Sequence, residues 1–429
     1  MIRKRLFLAN KQSLLFMVTN LGAKSIAAFT QLYAIFVFSR IYTASESSVI
    51  FLLFGYAIWF QVLEFGLAQT LQNRFNNLKS TADDVRAVVV IHYVVLVGVA
   101  AYVVVDPAVP RLLLPAERSS ELTPFSIGMA VMVVSTNNLI IQRVMLIANR
   151  GLTISVLLII QSLLAIFGLF LCQYGEKPDP TISILVYLAP QLLINLPIIF
   201  TMVRKLLGAG LRHRLGRIRL RAVCSDAVGF WLLNVLSSIF LGADYYFSAH
   251  YLSSEQILPY HFATRVYFLS FVAYFAYIQH QSRRLTPAAL NDGAPAIRRT
   301  IFESVTIGLL SVAAVYVCVL SLDHLRFFEF VTSKELVSPP LMLAAFAYFS
   351  IRVLRDVGMV VLGNVGEIYL LYGLYIIEIA LGLPLLSFTA ERFGGVGIFL
   401  SMAFTCGVST TVLIVLVAKI ISSRERRLA

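Results

Sequence analysis

The chain has 429 residues, of which 59% are hydrophobic and only 13% are charged. Typical globular proteins are about 25% charged, and a water-soluble fold cannot bury this much apolar surface. The mean hydropathy of +0.83 arises from many separate apolar stretches of about 20 residues, the length that crosses a bilayer as a helix. The sequence therefore predicts an all-α polytopic membrane protein and excludes soluble enzymes. The net charge of +13 is a topology signal in such a protein, so we expect no nucleic-acid partner.

Apolar runs bounded by charged residues, Pro or Gly predict about twelve transmembrane helices. The junctions between spans two and three and between spans seven and eight are short or polar, so the true number of spans could differ from twelve by one or two. No small-residue cleavage site follows the first run, which is therefore a membrane span and not a cleaved signal. The predicted spans are 13–38, 46–71, 87–105, 122–142, 152–173, 181–203, 227–252, 256–279, 301–320, 340–361, 368–388 and 396–418.

The Lys and Arg residues are distributed unevenly between the two sides of the membrane. If the termini and every second connection are placed on one side, that side carries twenty-four of the 35 Lys and Arg residues, and the other side carries seven. The positive-inside rule then places both termini in the cytoplasm.

The longest cytoplasmic connection, 204–226, lies near the midpoint of the chain and is strongly basic. We therefore predict an N-terminal six-helix lobe (1–203), a basic linker (204–226) and a C-terminal six-helix lobe with a basic tail (227–429). Because six spans separate equivalent positions, the lobes would be parallel repeats, although a coincidental even division is the alternative. The matches that support a repeat are Leu78, Ala82, Val85 and Arg86 with Leu290, Ala294, Ile297 and Arg298, and Asn149 and Gly151 with Asn364 and Gly366.

Eight ionisable residues fall within the predicted spans. Each costs about 2.5 to 3.5 kcal/mol at a helix centre, so each is expected to face a partner or a wet cavity. Lys24 and Arg265 lie near mid-depth, beyond comfortable snorkelling distance. The eight residues are Lys24, Glu64, Asp244, Arg265, Arg352, Arg355, Asp356 and Glu378.

The acids and cations of this set allow more than one interpretation. Arg352, Arg355 and Asp356 share one helix face, and an intrahelical pair between Arg352 and Asp356 is as well supported as a substrate role. Glu64 and Asp244 suit proton or sodium coupling if burial keeps them protonated, whereas a salt bridge to an Arg would have the opposite effect. Glu378 has no evident partner, and helix packing is its favoured interpretation.

The sequence lacks the motifs of several kinds of enzyme. It contains no DxD pair, no Gly-rich phosphate loop and no Walker A motif. The four cysteines are scattered and predict neither a metal site nor a disulfide framework. The longest outer loop, 321–338, has no room for the acceptor site of a membrane glycosyltransferase or polysaccharide polymerase. We therefore do not expect an enzyme.

Three segments carry a resemblance to a known family. The end of span two, Leu63-Glu64-Phe65-Gly66-Leu67-Ala68-Gln69-Thr70-Leu71-Gln72-Asn73-Arg74, resembles the "FDLGLGNGLRNK"-like helix end of O-antigen flippases in the multidrug/oligosaccharidyl-lipid/polysaccharide (MOP) exporter superfamily. Asp244 to Arg265 is similar to that family's "D...I....Y" stretch, and Arg143 to Gly151 is similar to its turn after helix four. Glu64 in place of the commoner Asp and the Gln69-Thr70 pair are departures from the pattern.

The resemblance implies two six-helix lobes around a central cavity lined by helices one, two, seven and eight. Lys24, Glu64, Asp244 and Arg265 all fall on those helices. It also implies a flippase of the bacterial inner membrane that moves an undecaprenyl-pyrophosphate-linked glycan, an O-antigen or related repeat unit, by alternating access. A polysaccharide polymerase and a chain-length regulator are the implied protein partners. No cofactor is expected, and coupling to H⁺ or Na⁺ is left open.

The candidate site residues follow from this interpretation. Arg guanidinium binds phosphate oxygens bidentately and Lys supplies a point charge, so cations suit a pyrophosphate. The candidate substrate-binding residues are Lys24, Arg265, Arg352 and Arg355, and the candidate coupling or charge-network residues are Glu64, Asp244 and Asp356.

Two alternatives remain. A cation-coupled exporter of drugs or metabolites with the same fold is the first, although its cavity would be expected to be acidic or apolar. A membrane polysaccharide polymerase is the second, and the short outer loops argue against it.

The charge bias makes a prediction about orientation. Cysteines placed in 176–179 are expected to react with a reagent applied from outside, whereas cysteines placed in 212–221 are expected to be spared. Equal labelling of the two segments would contradict the predicted topology.

Overall fold

The computed structural model describes residues 2–76, 82–106, 108–147, 150–174, 177–207, 220–282, 294–332, 334–365 and 367–428. Within these residues the chain is helical and contains no strand, with short 3-10 helices at Gln61–Glu64 and Ala116–Glu121. The α-helices are α1 (Ile2–Ile41), α2 (Ala44–Phe60), α3 (Leu67–Asn76), α4 (Ala82–Val105), α5 (Ala108–Leu113), α6 (Leu122–Ser135), α7 (Asn137–Ile147), α8 (Gly151–Tyr174), α9 (Pro180–Leu207), α10 (Leu220–Tyr251), α11 (Ser254–Ser282), α12 (Ala294–His324), α13 (Phe327–Val331), α14 (Pro339–Val365) and α15 (Ile368–Leu428).

The described helices confirm a multi-pass, all-α membrane protein. Nine helical stretches among the described residues are long and apolar enough to cross a membrane, and one of them, Tyr369–Ile420, covers the last two predicted spans. The helices α11 and α14 cover predicted spans eight and ten, but arginines lower their hydropathy: Arg265 in α11, and Arg352 and Arg355 in α14. The twelve predicted spans therefore all fall on helical segments.

The chain divides into two compact units, Met1–Gly242 (unit 1) and Ala243–Ala429 (unit 2). This division falls inside α10, whereas the predicted boundary is the basic linker 204–226, whose residues 208–219 lie outside the described chain. Several residues of the predicted repeat also lie outside it, namely Leu78, Leu290, Asn149 and Gly366. The linker boundary, the parallel repeat and the central cavity stay predictions.

Unit 1 contains an apolar cluster formed by several transmembrane helices. Leu71 of α3, Val89 of α4 and Ile140 of α7 are completely buried in it, and Val223 and Ala227 of α10 pack against them. In a bilayer such contacts are stabilised mainly by close packing, since lipid tails are as apolar as the side chains.

A polar cluster joins the first two helices of unit 1 to the turn before α9. Thr43 and Glu46 form a capping box at the start of α2, and Glu46 also accepts hydrogen bonds from Lys177 at 2.7 and 2.8 Å. The Tyr42 hydroxyl donates to the Pro178 carbonyl at 2.9 Å and lies 2.7 Å from Ser183 Oγ. Burial raises the pKa of Tyr42 to about 12, so this hydroxyl stays a donor at neutral pH.

The second predicted span is not one continuous helix. After α2, a 3-10 turn covers Gln61–Glu64, and Phe65 and Gly66 then adopt positive φ angles of 54° and 67° before α3 begins. We call Gln61 to Gly66 the span-two break. The predicted span 46–71 is therefore helical on both sides of the break but is not one α-helix, because two consecutive left-handed residues end an α-helix.

Glycine at position 66 is required by a close approach as well as by its φ angle. A Cβ atom on Gly66 would lie 2.6 Å from the Ala227 carbonyl oxygen and 2.6 Å from the Trp231 backbone nitrogen. Backbone atoms of a packed helix cannot move aside cheaply, so only glycine lets the span-two break pack directly against α10.

A glycine also interrupts α15 in unit 2. Gly394 has φ 56° and ψ −138°, which separates the helix into two segments that match predicted spans eleven and twelve. The Thr389 hydroxyl donates to the Gly397 carbonyl across this interruption at 3.0 Å. The side chain therefore satisfies a carbonyl near the break.

The Gly66 geometry makes a prediction about stability. Gly66→Ala is expected to lower the stability of the folded protein by more than about 1 to 3 kcal/mol, the usual cost of a strained backbone conformation, because the clash with α10 adds to it. The measurement is thermal unfolding of the detergent-purified protein.

Gly98→Ala is the matched control, since a Cβ atom there has no neighbour within 4 Å. It is expected to be neutral or to stabilise α4 by up to about 1 kcal/mol. Equal unfolding temperatures for the two variants would contradict the inferred role of Gly66.

Candidate functional site

Unit 2 contains a buried carboxylate with one oxygen atom that has no hydrogen-bond partner. Asp244, near the end of α10, is 5% exposed, and its Oδ2 accepts a hydrogen bond of 2.9 Å from the Tyr260 hydroxyl of α11. Its Oδ1 is buried without a hydrogen-bond partner. Two arginines, Arg265 and Arg352, lie close enough for their charges to act on it. Asp244 therefore lies within the electrostatic reach of both arginines.

Arg265 of α11 and Arg352 of α14 both lie against the ring of Phe268. The guanidinium carbons are 5.9 Å and 5.3 Å from the ring centroid. Arg265 is partly exposed and donates from Nε to His261 Nε2 at 3.4 Å. The structure thus brings together three residues that the sequence predicted separately, namely Asp244, Arg265 and Arg352.

Arg352 makes closer contacts with aromatic residues than with acidic ones. Its guanidinium also lies 5.3 Å from the Phe271 centroid, and it donates to the Tyr348 hydroxyl at 3.3 Å. The predicted intrahelical pair with Asp356 is present, but Arg352 Nε and Asp356 Oδ2 are 3.6 Å apart, and Nε is buried without a hydrogen-bond partner. Cation–π contacts stabilise a desolvated guanidinium without neutralising its charge.

Arg355 has a different environment, a buried bidentate ion pair with Glu378. Arg355 Nε and Nη2 donate to the two Glu378 oxygens at 2.5 and 2.6 Å, and Ser409 donates to the same carboxylate at 2.5 Å. Both charged residues are at most 1% exposed. The sequence offered no partner for Glu378, and the structure supplies one. This pair links α14 with both segments of α15, while the predicted substrate role of Arg355 stays a prediction.

In unit 1, Arg143 lies close enough to both Lys24 and Glu64 for its charge to act on them. Lys24, on α1, is half-buried. Glu64 is 8% exposed, and its Oε1 accepts the Ala68 backbone N–H at 2.9 Å. Glu64 therefore caps the start of α3 in addition to its predicted part in a charge network.

The span-two break is surrounded by side-chain donors. Backbone carbonyls that leave a helix must find partners in the membrane interior, and three in or next to the break are bound by residues of other segments. Thr136 donates to Phe60 at 3.3 Å, Trp231 Nε1 donates to Val62 at 3.1 Å, and His92 Nε2 lies 2.7 Å from the Leu63 oxygen.

Sequence reasoning missed His92 and its partner Asn137. Both are polar residues inside predicted spans, at 3% and 0% exposure. A scan for buried residues that included histidine and carboxamides would have found them. Their pairing could not be read from the sequence, because they lie on different helices.

No group of three or more His, Cys, Asp or Glu residues in the described part of the chain could hold a metal ion. The four cysteines are free, with Cys224 and Cys318 exposed. In the described part of unit 2, buried charges are held by an ion pair, by aromatic rings and by hydrogen bonds.

The Arg355–Glu378 pair makes a second prediction about stability. Arg355→Met is expected to destabilise the protein by about 3 to 5 kcal/mol, because it leaves the Glu378 carboxylate buried and unpaired. Adding Glu378→Leu is expected to recover most of this loss, since a buried ion pair replaced by apolar groups is often neutral. Thermal unfolding in detergent measures both changes.

Arg299→Met is the matched control, because the Arg299 side chain is 81% exposed in its salt bridge with Glu303. Its effect is expected to stay below about 1 kcal/mol. If the single change at Arg355 were as mild as this control, the pair would not stabilise unit 2.

No protein-family model and no curated protein matches the sequence. Several solved structures are similar to it in fold. An inward-facing multidrug resistance MATE family transporter of the MOP superfamily has a TM-score of 0.70 and 12% identity, and the match covers 96% of this chain and 100% of that chain. The lipid II flippase MurJ, in an inward closed conformation, has a TM-score of 0.64 and 12% identity, with 94% and 87% covered.

A third similar structure is a MOP superfamily transporter from Pyrococcus furiosus. It has a TM-score of 0.65 and 13% identity, with 95% of each chain covered, and it is described as having a binding pocket of reverse polarity that suggests a different function. At these identities the likeness concerns the fold. The chain therefore has the all-helical fold that MOP superfamily transporters share.

Proposed function

We propose that this protein is a MOP superfamily flippase that moves an undecaprenyl-pyrophosphate-linked oligosaccharide, an O-antigen or related repeat unit, across the bacterial inner membrane by alternating access. The fold supports a transporter, and one of the similar structures is a lipid II flippase. In this proposal both termini are cytoplasmic, and the chain carries out no covalent chemistry. A polysaccharide polymerase and a chain-length regulator are its proposed partners.

The pair of arginines at Phe268 is the observation that carries the proposal. Arg265 and Arg352 hold two like charges within 6 Å of one ring centroid. Their repulsion is relieved in part by two acids, Asp356, 3.6 Å from Arg352, and Asp244, whose charge reaches both arginines. A pyrophosphate would relieve it further, because its oxygens match the fork of donors on each guanidinium.

Asp244 suggests how binding could be coupled to an ion. A diphosphate that approaches Arg265 would compete with the Asp244 carboxylate for the same cation. A proton on Asp244 would remove this competition, and the unpartnered Oδ1 is the atom that could carry it. Proton binding and substrate binding would then favour each other, which is the thermodynamic requirement for coupled transport.

The cations of unit 1 support the same substrate class. Arg143 is exposed on its helix, and its positive charge is close enough to interact with both Lys24 and Glu64. Lys24 and Arg143 are two cations near one acid, Glu64, which also accepts the Ala68 N–H. An anionic head group is a better match for this set than an organic cation.

A second candidate is a cation-coupled exporter of drugs or metabolites. The specific observation in its favour is Asp244, whose Oδ1 is unpartnered and whose Oδ2 accepts from the aromatic residue Tyr260. A carboxylate beside aromatic faces suits a lipophilic organic cation. The MATE fold of the first structural neighbour is consistent with this candidate.

Arginine variants test the anionic-substrate proposal. Arg265→Ala and Lys24→Ala are each expected to remove a charge-assisted contact worth about 1.5 to 3 kcal/mol, or about 10- to 150-fold in affinity. Arg265→Lys is expected to lose part of the function, because it keeps the charge but not the bidentate fork. The measurement is surface-polysaccharide complementation in a flippase-null strain, normalised to membrane protein level.

Arg392→Ala is the matched control, since Arg392 also lies over an aromatic ring, Phe388, but is exposed. It is expected to complement normally. Normal complementation by Arg265→Ala and Lys24→Ala, singly and together, would contradict an anionic substrate, and efflux of a lipophilic cation would then favour the exporter. Rescue of Arg265→Ala by Asp244→Asn would show that these two charges stabilise the fold and do not bind the substrate.

A further inference from the structure

A cavity of ligand size lies in unit 1 between α4, α10 and the span-two break. Its volume is about 330 Å³, within the range of about 300 to 1,000 Å³ that is typical of small-molecule sites. Buried residues such as Val88, His92 and Ala227 form its floor, and exposed residues such as Val95 and Val228 form its rim. The cavity is therefore open at the surface of the protein, and we call it the α4–α10 groove.

The lining of the groove offers almost no hydrogen bonds to a ligand. Trp231 Nε1 already donates to the Val62 carbonyl, and both ring nitrogens of His92 lie within 2.8 Å of protein oxygen atoms. The other lining side chains are apolar, apart from the Cys224 thiol. A buried water molecule needs two to four polar partners. The groove therefore suits an apolar occupant and not water.

The position of the groove determines where such an occupant comes from. Both α4 and α10 are long and apolar enough to cross a membrane. The rim residues Ile91, Val95 and Val228 are 36%, 44% and 50% exposed, so in a bilayer they contact hydrocarbon. Apolar cavities bind apolar molecules, and the apolar molecules that surround this rim are lipid chains.

The length of the groove matches one lipid chain. From Val223 to Trp231, α10 rises by about 12 Å at 1.5 Å per residue. One leaflet contributes about 15 Å to the hydrocarbon core of a bilayer. Val223 lies in the first turn of α10, which begins at Leu220, so the groove runs from the end of this helix into a single leaflet.

The charge of the neighbouring connections favours an anionic head group. Residues 204–226, which lead into α10, contain seven Lys and Arg and one acid, and residues 74–86, which lead into α4, contain three Lys and Arg and two acids. Two of these three acids already have a cation as partner, since Asp226 pairs with Arg74 and Asp83 with Arg86. Both connections are cytoplasmic in the predicted topology, and basic segments at that surface attract anionic lipids.

We propose that the α4–α10 groove binds one acyl chain of an anionic phospholipid from the leaflet next to these basic connections. The chain lies against Phe65 of the span-two break and Trp231 of α10, and the head group lies at the start of α10. This site is separate from the arginines at Phe268, and it does not depend on what the protein transports.

Quenching of Trp231 by brominated lipids tests the site. The chain has two tryptophans, so Trp59→Phe leaves Trp231, which lines the groove, as the single reporter. The full-length protein is reconstituted in phosphatidylcholine vesicles that contain a rising fraction of phosphatidylglycerol with brominated acyl chains. We expect stronger quenching than the same fraction of brominated phosphatidylcholine produces, because the basic connections enrich the anionic lipid at the groove.

Two outcomes of this measurement would overturn the proposal. Equal quenching by the two brominated lipids would show that the site does not select an anionic phospholipid. Absence of quenching by either lipid would show that no acyl chain reaches the groove.

Val228→Phe tests whether the quenching arises in the groove. The larger side chain occupies part of the groove, so the excess quenching by the anionic lipid is expected to be lost. Val94→Phe is the matched control, because Val94 is 64% exposed on α4 but does not line the groove. Equal loss in both variants, or no loss in Val228→Phe, would assign the quenching to the lipid that surrounds the whole protein.

Undecaprenyl phosphate is the competitor that separates two sources of an anionic lipid. Unbrominated phosphatidylglycerol is expected to relieve the quenching at least as well as an equal amount of undecaprenyl phosphate. If undecaprenyl phosphate were the better competitor, the groove would be a site for a polyprenyl chain and the proposal would be wrong. Complementation in the flippase-null strain is a separate measurement, so failure of this proposal and failure of the proposed flippase function can be told apart.

Discussion

The architecture of unit 1 depends on one constraint, the need to satisfy backbone carbonyls where a helix is interrupted inside the membrane. Span two leaves helical geometry at Phe65 and Gly66, and four carbonyls in or before the break accept side-chain hydrogen bonds. The donors come from three other parts of the chain, and the closest is His92, 2.7 Å from the Leu63 oxygen. The contacts are Ser238 with Ile58, Thr136 with Phe60, Trp231 with Val62 and His92 with Leu63. Each donor also holds its own segment against span two, so α4, α10 and the α6–α7 turn meet at the end of this span.

Unit 2 handles its buried charges in two contrasting ways. Arg355 and Glu378 neutralise each other in a closed bidentate pair that joins α14 to α15. Arg352 is paired less closely, because aromatic rings surround it and its acid, Asp356, is 3.6 Å away. A neutralised pair is an architectural element, whereas a caged cation retains the capacity to attract an anion. This difference is the physical basis for assigning the two arginines at Phe268, and not Arg355, the leading part in the proposed function.

The fold class could be predicted from the sequence because hydropathy is a local property. Twelve apolar runs fall on helical segments, and even the weakly apolar α11 and α14 were recognised from their flanking residues. The span-two break was missed, since Phe65 has no intrinsic preference for a positive φ and the close approach of α10 to Gly66 is not visible along the chain. His92 was missed because its two partners, Leu63 and Asn137, are distant in sequence.

The sequence by itself determined that this chain lies in a membrane, which segments are apolar enough to cross it, and which Lys, Arg, Asp and Glu residues fall within those segments. The cost of burying a charge in hydrocarbon depends only on its position within an apolar run, so those residues could be named in advance. Only the tertiary structure decided their partners: Glu378 for Arg355, the Phe268 ring for Arg265 and Arg352, and the span-two carbonyls for Trp231 and His92. The physical reason is that hydrogen bonds and ion pairs act over a few ångströms in space. Val62 and Trp231 are 169 residues apart in the chain, and folding alone brings them together.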